Sequence, residues 1–175
     1  FEDTQKEINA AIQSLIIALL ASIVLVFVIL GCQFNSVSVP AVIVMAVPLG
    51  LIGVVTTLYV AGSNIGLNSM LGTILLGGIV VNNSILIVDF FRQHRSQFDD
   101  KVAALVHCCG LRVTPSIITT LTTILGMMPI ALALGEGTNV IQPLGIAVCG
   151  GLGVSTFLTL FVIPCIVNLL PERAL

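Results

Sequence analysis

Residues 15–30 read LIIALLASIVLVFVIL and residues 71–88 read LGTILLGGIVVNNSILIV. Neither stretch carries a charge, and both are apolar on most helical faces rather than on one. They lie in a run of 81 residues, between Glu7 and Asp89, that holds no Asp, Glu, Lys, Arg or His. Roughly a quarter of the residues of a water-soluble domain are charged. This chain of 175 residues is 8% charged and 57% hydrophobic. A second stretch, Val113 to Pro171, has the single charge Glu136. The solvent that suits such surfaces is lipid.

A hydrocarbon core of ~30 Å takes ~20 helical residues to cross. The first run therefore accommodates three spans and the second two. Barrel strands alternate apolar and polar residues, which these stretches do not. Backbone groups in lipid must bond within their own segment, so the segments are helices. The expected fold is an all-α membrane protein: five transmembrane helices and one short amphipathic cytoplasmic helix in a single transmembrane region. The spans fall at about 10–31, 38–61, 67–91, 114–134 and 141–170. Pro40 suits a first turn, where no N–H is needed. Pro48 should kink the second span, Pro129 lies inside the fourth, and Pro143 and Pro164 should interrupt the fifth. Between the third and fourth spans, Phe98, Val102, Leu105, Val106 and Cys109 share one helical stripe. Asp99 and Asp100 favour the start of that helix and Gly110 its end, so residues 97–109 are expected to lie on the membrane surface.

The basic residues orient the bundle. Arg92, Arg95, Lys101 and Arg112 share one loop, and Arg173 lies two crossings later on the same side. Lys6 alone falls opposite. The positive-inside rule then makes that loop and the C-terminus cytoplasmic and the N-terminus external. The chain opens on Phe1 with no basic, signal-like region, and it reads as a piece of a longer protein. Nothing in six basic residues against eight acidic ones points to nucleic acid.

Few strongly polar residues lie at membrane depth. Asn82 and Asn83 are the clearest, and the cost of burying unpaired amides turns them toward protein or water. They can serve as interhelical hydrogen bonds or as a relay or substrate path; the residues alone leave both open. Arg112, three residues before Pro115, can be a snorkelling anchor. Thr119 lies two turns up the same face, followed by Thr120, Thr122 and Thr123, whose hydroxyls can bond the helix's own carbonyls. Asp89 and Arg92, three apart near an interface, suggest an ion pair. Glycines at 72, 77 and 78 and at 145, 150, 151 and 153 suit close helix packing, or helices that slide.

No enzyme is expected. An intramembrane aspartyl protease needs a second buried Asp, and Ser84 has no His at depth to act as base. The five cysteines form no C-x-x-C pair and are expected to be free thiols. His107, Cys108 and Cys109 point ~100° apart on a helix and do not converge on a metal.

Residues 77–90, GGIVVNNSILIVDF, resemble the fourth helix of the second membrane half of resistance–nodulation–division (RND) efflux pumps. Residues 111–120, LRVTPSIITT, followed by GMMP at 126–129, resemble the next helix, and PLGLIG at 48–53 the preceding one. The resemblance implies the last five of twelve helices of a pump subunit in the bacterial inner membrane. It implies a missing N-terminal half, a homotrimer with a periplasmic adaptor and an outer-membrane channel, and no cofactor beyond the proton-motive force. Such pumps couple inward proton flow to export of hydrophobic or amphiphilic compounds. Arg112 and Thr119 match relay residues of the family, and Asn83 matches an asparagine. Asn82 departs, because the best-known multidrug pumps have lysine there, facing two aspartates of the first half. An amide cannot offset a carboxylate's charge, which shifts the cationic role to Arg112. Two other readings are a protein-translocase accessory subunit of the same superfamily, with a smaller periplasmic insert, and a membrane scaffold without transport.

Overall fold

A computed structural model gives the architecture and describes residues 1–171 and 173. Among the described residues six helices carry the fold: α1 (Glu2–Phe34), α2 (Ser38–Val44), α3 (Ala46–Ala61), α4 (Leu67–His94), α5 (Lys101–Ala131) and α6 (Gln142–Leu169). Short 3₁₀ turns at Arg95–Gln97 and Thr138–Val140 sit in two of the connections. Among the described residues there is no strand. Among the described residues five units are long and apolar enough to cross a bilayer: α1, α2 with α3, α4 with the first 3₁₀ turn, α5, and α6.

The boundaries differ from expectation for local reasons. The first helix does not stop near Gly31. It runs to Phe34, where Asn35 takes a left-handed φ of 47°; asparagine tolerates that conformation better than most residues. The second span is broken between Val44 and Ala46. Proline clashes with the carbonyl four residues back and offers it no N–H, and four residues before Pro48 is Val44. Gly62, at φ 63°, closes α3: its N–H bonds the Tyr59 carbonyl, and the Ser63 N–H bonds the Leu58 carbonyl. That pairing satisfies two otherwise orphaned acceptors. Pro143 does not interrupt the last span, because it falls in the first turn of α6.

The separate amphipathic helix at 97–109 is not found. Lys101–Ala131 is one continuous helix of 31 residues, and the expected surface stripe is its first turns. Asp100 caps it, its side chain accepting from the Val102 N–H at 3.3 Å. A helical glycine costs only ~1 kcal/mol relative to alanine. Burial of Ala104, Leu105 and Cys108 on this segment favours continuation through Gly110.

The helix α6 is the hub, packing against α3, α4 and α5. Its glycines permit that. A Cβ on Gly145 would stand 2.7 Å from the Ala131 nitrogen, and one on Gly150 would overlap Thr57. Gly77 and Gly78 differ, since a Cβ there meets nothing within 4 Å. The helix α1 is peripheral, with only Leu30 and Phe34 buried near its C-terminal end.

Candidate functional site

Polar side chains converge where α4, α5 and α6 meet. Asn83 is buried and faces a crevice of about 10 Å³ shared with Ser116, Ser155, Thr156 and Thr159. That is at the limit of what a single water needs, ~10–15 Å³. Beside it Thr120 and Thr156 share a hydrogen bond of 2.9 Å between α5 and α6. The Thr159 hydroxyl is buried with no partner among the described residues.

Arg112 lies two turns before Thr120 on α5. Its guanidinium stacks over the Phe90 ring at 4.4 Å, and its Nε is buried without a partner among the described residues. Phe90 is two turns from Asn83 on α4, and its ring packs on His94 at 4.1 Å between centroids. The cation therefore sits on the Asn83 side of α4, over an aromatic face that favours positive charge. A simple anchor would direct every guanidinium N–H to water; here one N–H is withheld from it.

The adjacent amides part company. Asn82 is exposed and lines an apolar groove of about 350 Å³ between α1, α3 and α4, with Gly77 and Gly78 on the same wall. Successive helical side chains point ~100° apart, so Asn83 faces protein when Asn82 faces the groove. Thr119 is also exposed, and its hydroxyl donates to the Pro115 carbonyl at 3.0 Å. Thr122 and Thr123 bond back in the same way to Ile118 and Thr119. The four relay candidates thus do not form one cluster: Asn83 and Arg112 share a side of α4, while Asn82 and Thr119 lie exposed.

The ion pair expected between Asp89 and Arg92 is not formed. The Asp89 carboxylate accepts from Gln93 Nε2 at 2.8 Å. Arg92 reaches toward α1, with a guanidinium N–H on the Phe34 carbonyl at 3.5 Å and the group over the Phe34 ring. Ser84 donates to the Val80 carbonyl at 2.9 Å. All five cysteines are free. Sequence reasoning missed Ser116, Ser155, Thr156 and Thr159. Ser116 was detectable, because Arg112, Ser116 and Thr120 are spaced i, i+4, i+8 on one face; the α6 hydroxyls stand in a purely apolar run and gave no comparable signal.

A bundle of membrane-length helices with a polar seam describes a polytopic membrane segment. Residues 1–170 match the AcrB/AcrD/AcrF family. Two crystal forms of a heavy metal efflux pump have the same fold. Form II matches with a TM-score of 0.82 at 34% identity, over 97% of this chain and 17% of that one. Form I matches with a TM-score of 0.72 at 34% identity, over 85% of this chain and 14% of that one. The chain belongs to the AcrB/AcrD/AcrF family of RND efflux transporters. It spans less than a fifth of the length of those solved pumps.

Proposed function

We propose that this chain is the C-terminal membrane portion of a proton-driven exporter of hydrophobic or amphiphilic compounds. Its N-terminus is periplasmic and its C-terminus cytoplasmic, and it acts in a trimer with a periplasmic adaptor and an outer-membrane channel. It has no enzymatic activity and needs no cofactor beyond the proton gradient. The observation that carries the coupling role is Arg112: a half-buried cation over Phe90 with an unpartnered Nε among the described residues, one helical turn before Ser116 of the hydroxyl-lined crevice. A buried donor without an acceptor costs ~1–3 kcal/mol, more for a charged group. A carboxylate from the remainder of the pump that loses its proton nearby offsets this cost, and protonation restores it. Arg112 then biases two states according to proton occupancy.

The test is export by the complete pump carrying Arg112→Ala or Arg112→Lys, with membrane abundance measured in parallel. Loss of export at normal abundance in both variants supports the coupling role. Near-normal export by Arg112→Ala supports an anchor, since Arg92, Arg95 and Lys101 still set orientation.

A second reading keeps the mechanism and changes the cargo. The solved structures at 34% identity are two crystal forms of a heavy metal efflux pump, which favours a metal ion. Resistance of cells expressing the complete pump, scored against cationic dyes and against copper, silver and zinc salts, separates the two cargoes.

A further inference from the structure

The crevice between α4, α5 and α6 receives one polar side chain from each helix that is bonded to no other described residue. The register of α5 and α6 explains why two of them meet. These helices run antiparallel: Gly145 lies against Ala131, Cys149 Sγ donates to the Ile124 carbonyl at 3.7 Å, and Thr120 and Thr156 share their hydrogen bond. From that bond, Ser116 lies four residues along α5 toward Lys101, and Thr159 lies three residues along α6 in the same direction. At 1.5 Å per residue the two end within ~2 Å of each other in height. At ~100° per residue, both steps stay within about 60° of the face that carries the Thr120–Thr156 bond. Asn83 on α4 lines the same crevice.

The other polar groups of the crevice are already engaged. Thr156 is bonded to Thr120, and the Ser155 hydroxyl donates to the Leu152 carbonyl at 3.2 Å. The Thr159 side chain is 2% exposed, and its hydroxyl has no partner among the described residues. The Asn83 amide and the Ser116 hydroxyl likewise bond no other described residue. A buried hydroxyl without a bond is costly, and native structures satisfy nearly all such groups with protein or ordered water.

We infer that this crevice is a binding site for one buried water molecule, which hydrogen-bonds Asn83, Ser116 and Thr159 and so joins α4, α5 and α6. Size, polarity and charge choose the ligand. The volume of about 10 Å³ matches the ~10–15 Å³ one water needs, and three polar groups match the ~3 bonds a buried water makes. The Asn83 amide and the Thr159 hydroxyl can donate to the water oxygen, which donates to the Ser116 hydroxyl oxygen. A sodium ion there has no counter-charge, because no carboxylate lines the crevice and Arg112, one turn from Ser116, is itself a cation. A chloride ion is larger than a water and exceeds the volume. The site is separate from the coupling role proposed for Arg112 and does not depend on it.

The test rests on a sign. Thr159→Val removes the hydroxyl at nearly equal volume. If the hydroxyl has no ligand, that change stabilises the bundle or leaves it unchanged. With the water bound, it cuts one bond of the bridge. The unfolding equilibrium constant of the full chain in lipid should then rise about 2- to 10-fold, the effect of one ordinary hydrogen bond. SDS-induced unfolding measures this, with circular dichroism confirming helix content in every variant. In a double-mutant cycle, Thr159→Val and Ser116→Ala should couple by at least about 2-fold, although these hydroxyls share no direct bond. Thr159→Ser keeps the hydroxyl and should keep that coupling, which separates the bridge from packing. Solid-state NMR of the asparagine- and threonine-labelled chain should show transfer from water protons to the Asn83 and Thr159 side chains. Those signals should not move when sodium chloride is exchanged for N-methylglucamine gluconate. A Thr159→Val chain as stable as wild type, or more so, overturns the site. So does a cycle without coupling, or absence of the water transfer. Signals that move with the salt overturn it in favour of a bound ion.

Discussion

Gly145→Ala should weaken the bundle through a clash that no side chain can relieve. The added Cβ would stand 2.7 Å from the Ala131 nitrogen, 3.0 Å from its Cα and 3.1 Å from the Ile130 carbonyl carbon, all backbone atoms of α5. Carbon atoms in comfortable contact lie about 3.5–4.0 Å apart, so α5 and α6 must separate by nearly 1 Å. Overpacking of this kind costs typically ~1–3 kcal/mol. Alanine's better helix propensity returns at most ~1 kcal/mol. The net expectation is a loss of about 1–2 kcal/mol, roughly 5- to 30-fold in the unfolding equilibrium. Gly78→Ala is the matched control. Nothing lies within 4 Å of its Cβ, so only the propensity gain remains and the sign reverses. The assay is SDS-induced unfolding of the reconstituted chain, followed by circular dichroism and by alkylation of Cys149, whose thiol lies on the α5–α6 contact. The reasoning fails if Gly145→Ala unfolds at the same SDS fraction as wild type or a higher one, or if Gly78→Ala is the less stable of the two.

Three further outcomes are expected. In a chain lacking its native thiols, Ser63→Cys and Gln97→Cys should label from opposite sides of the membrane, and labelling of both from the periplasm contradicts the charge argument. Thr120→Val and Thr156→Val each remove the 2.9 Å bond between α5 and α6; a double-mutant cycle should give a coupling of ~0.6 kcal/mol, the usual value for such bonds, and zero coupling removes its energetic role. The isolated chain should carry no proton current in liposomes, because Asp89 lies near the end of α4, bonded to Gln93, and Glu136 lies in a turn; flux above that of empty liposomes counts against this.

The spans were legible because lipid removes alternatives. With no water to satisfy backbone groups, a long uncharged run is a helix whatever its local propensities. The details that stayed hidden are those in which tertiary burial overrides a local signal. Gly110 reads as a stop, yet burial of Leu105 and Cys108 carries α5 through it. Pro143 reads as an interruption, but its effect depends on whether it falls before or after the first turn. At the site, Asn83 and Arg112 were recognisable as polar groups out of place. Their common side could not be read without the pairing of α4 with α5, nor could the turn of Asn82 toward the groove. Asp89 and Arg92 had the right spacing for a pair, but the nearby Phe34 ring and carbonyl gave Arg92 another partner.

The continuity of α1 has a mechanical consequence. Thirty-three residues at 1.5 Å each make a rod of about 50 Å, against a hydrocarbon layer of about 30 Å. Had the helix begun near residue 10, the preceding residues would have been a slack tether, able to bend without moving anything. As built, the rod is gripped along its lower part, by Leu30 and Phe34 in the core, by Ile23 and Val26 packed against it, and by Arg92 against Phe34. Its far end is a lever arm: a tilt of about 5° at the foot sweeps the tip through about 4 Å, given the rod's length. Motion passes the other way on the same terms. A push applied beyond the membrane reaches Arg92, at the foot of α4, as torque.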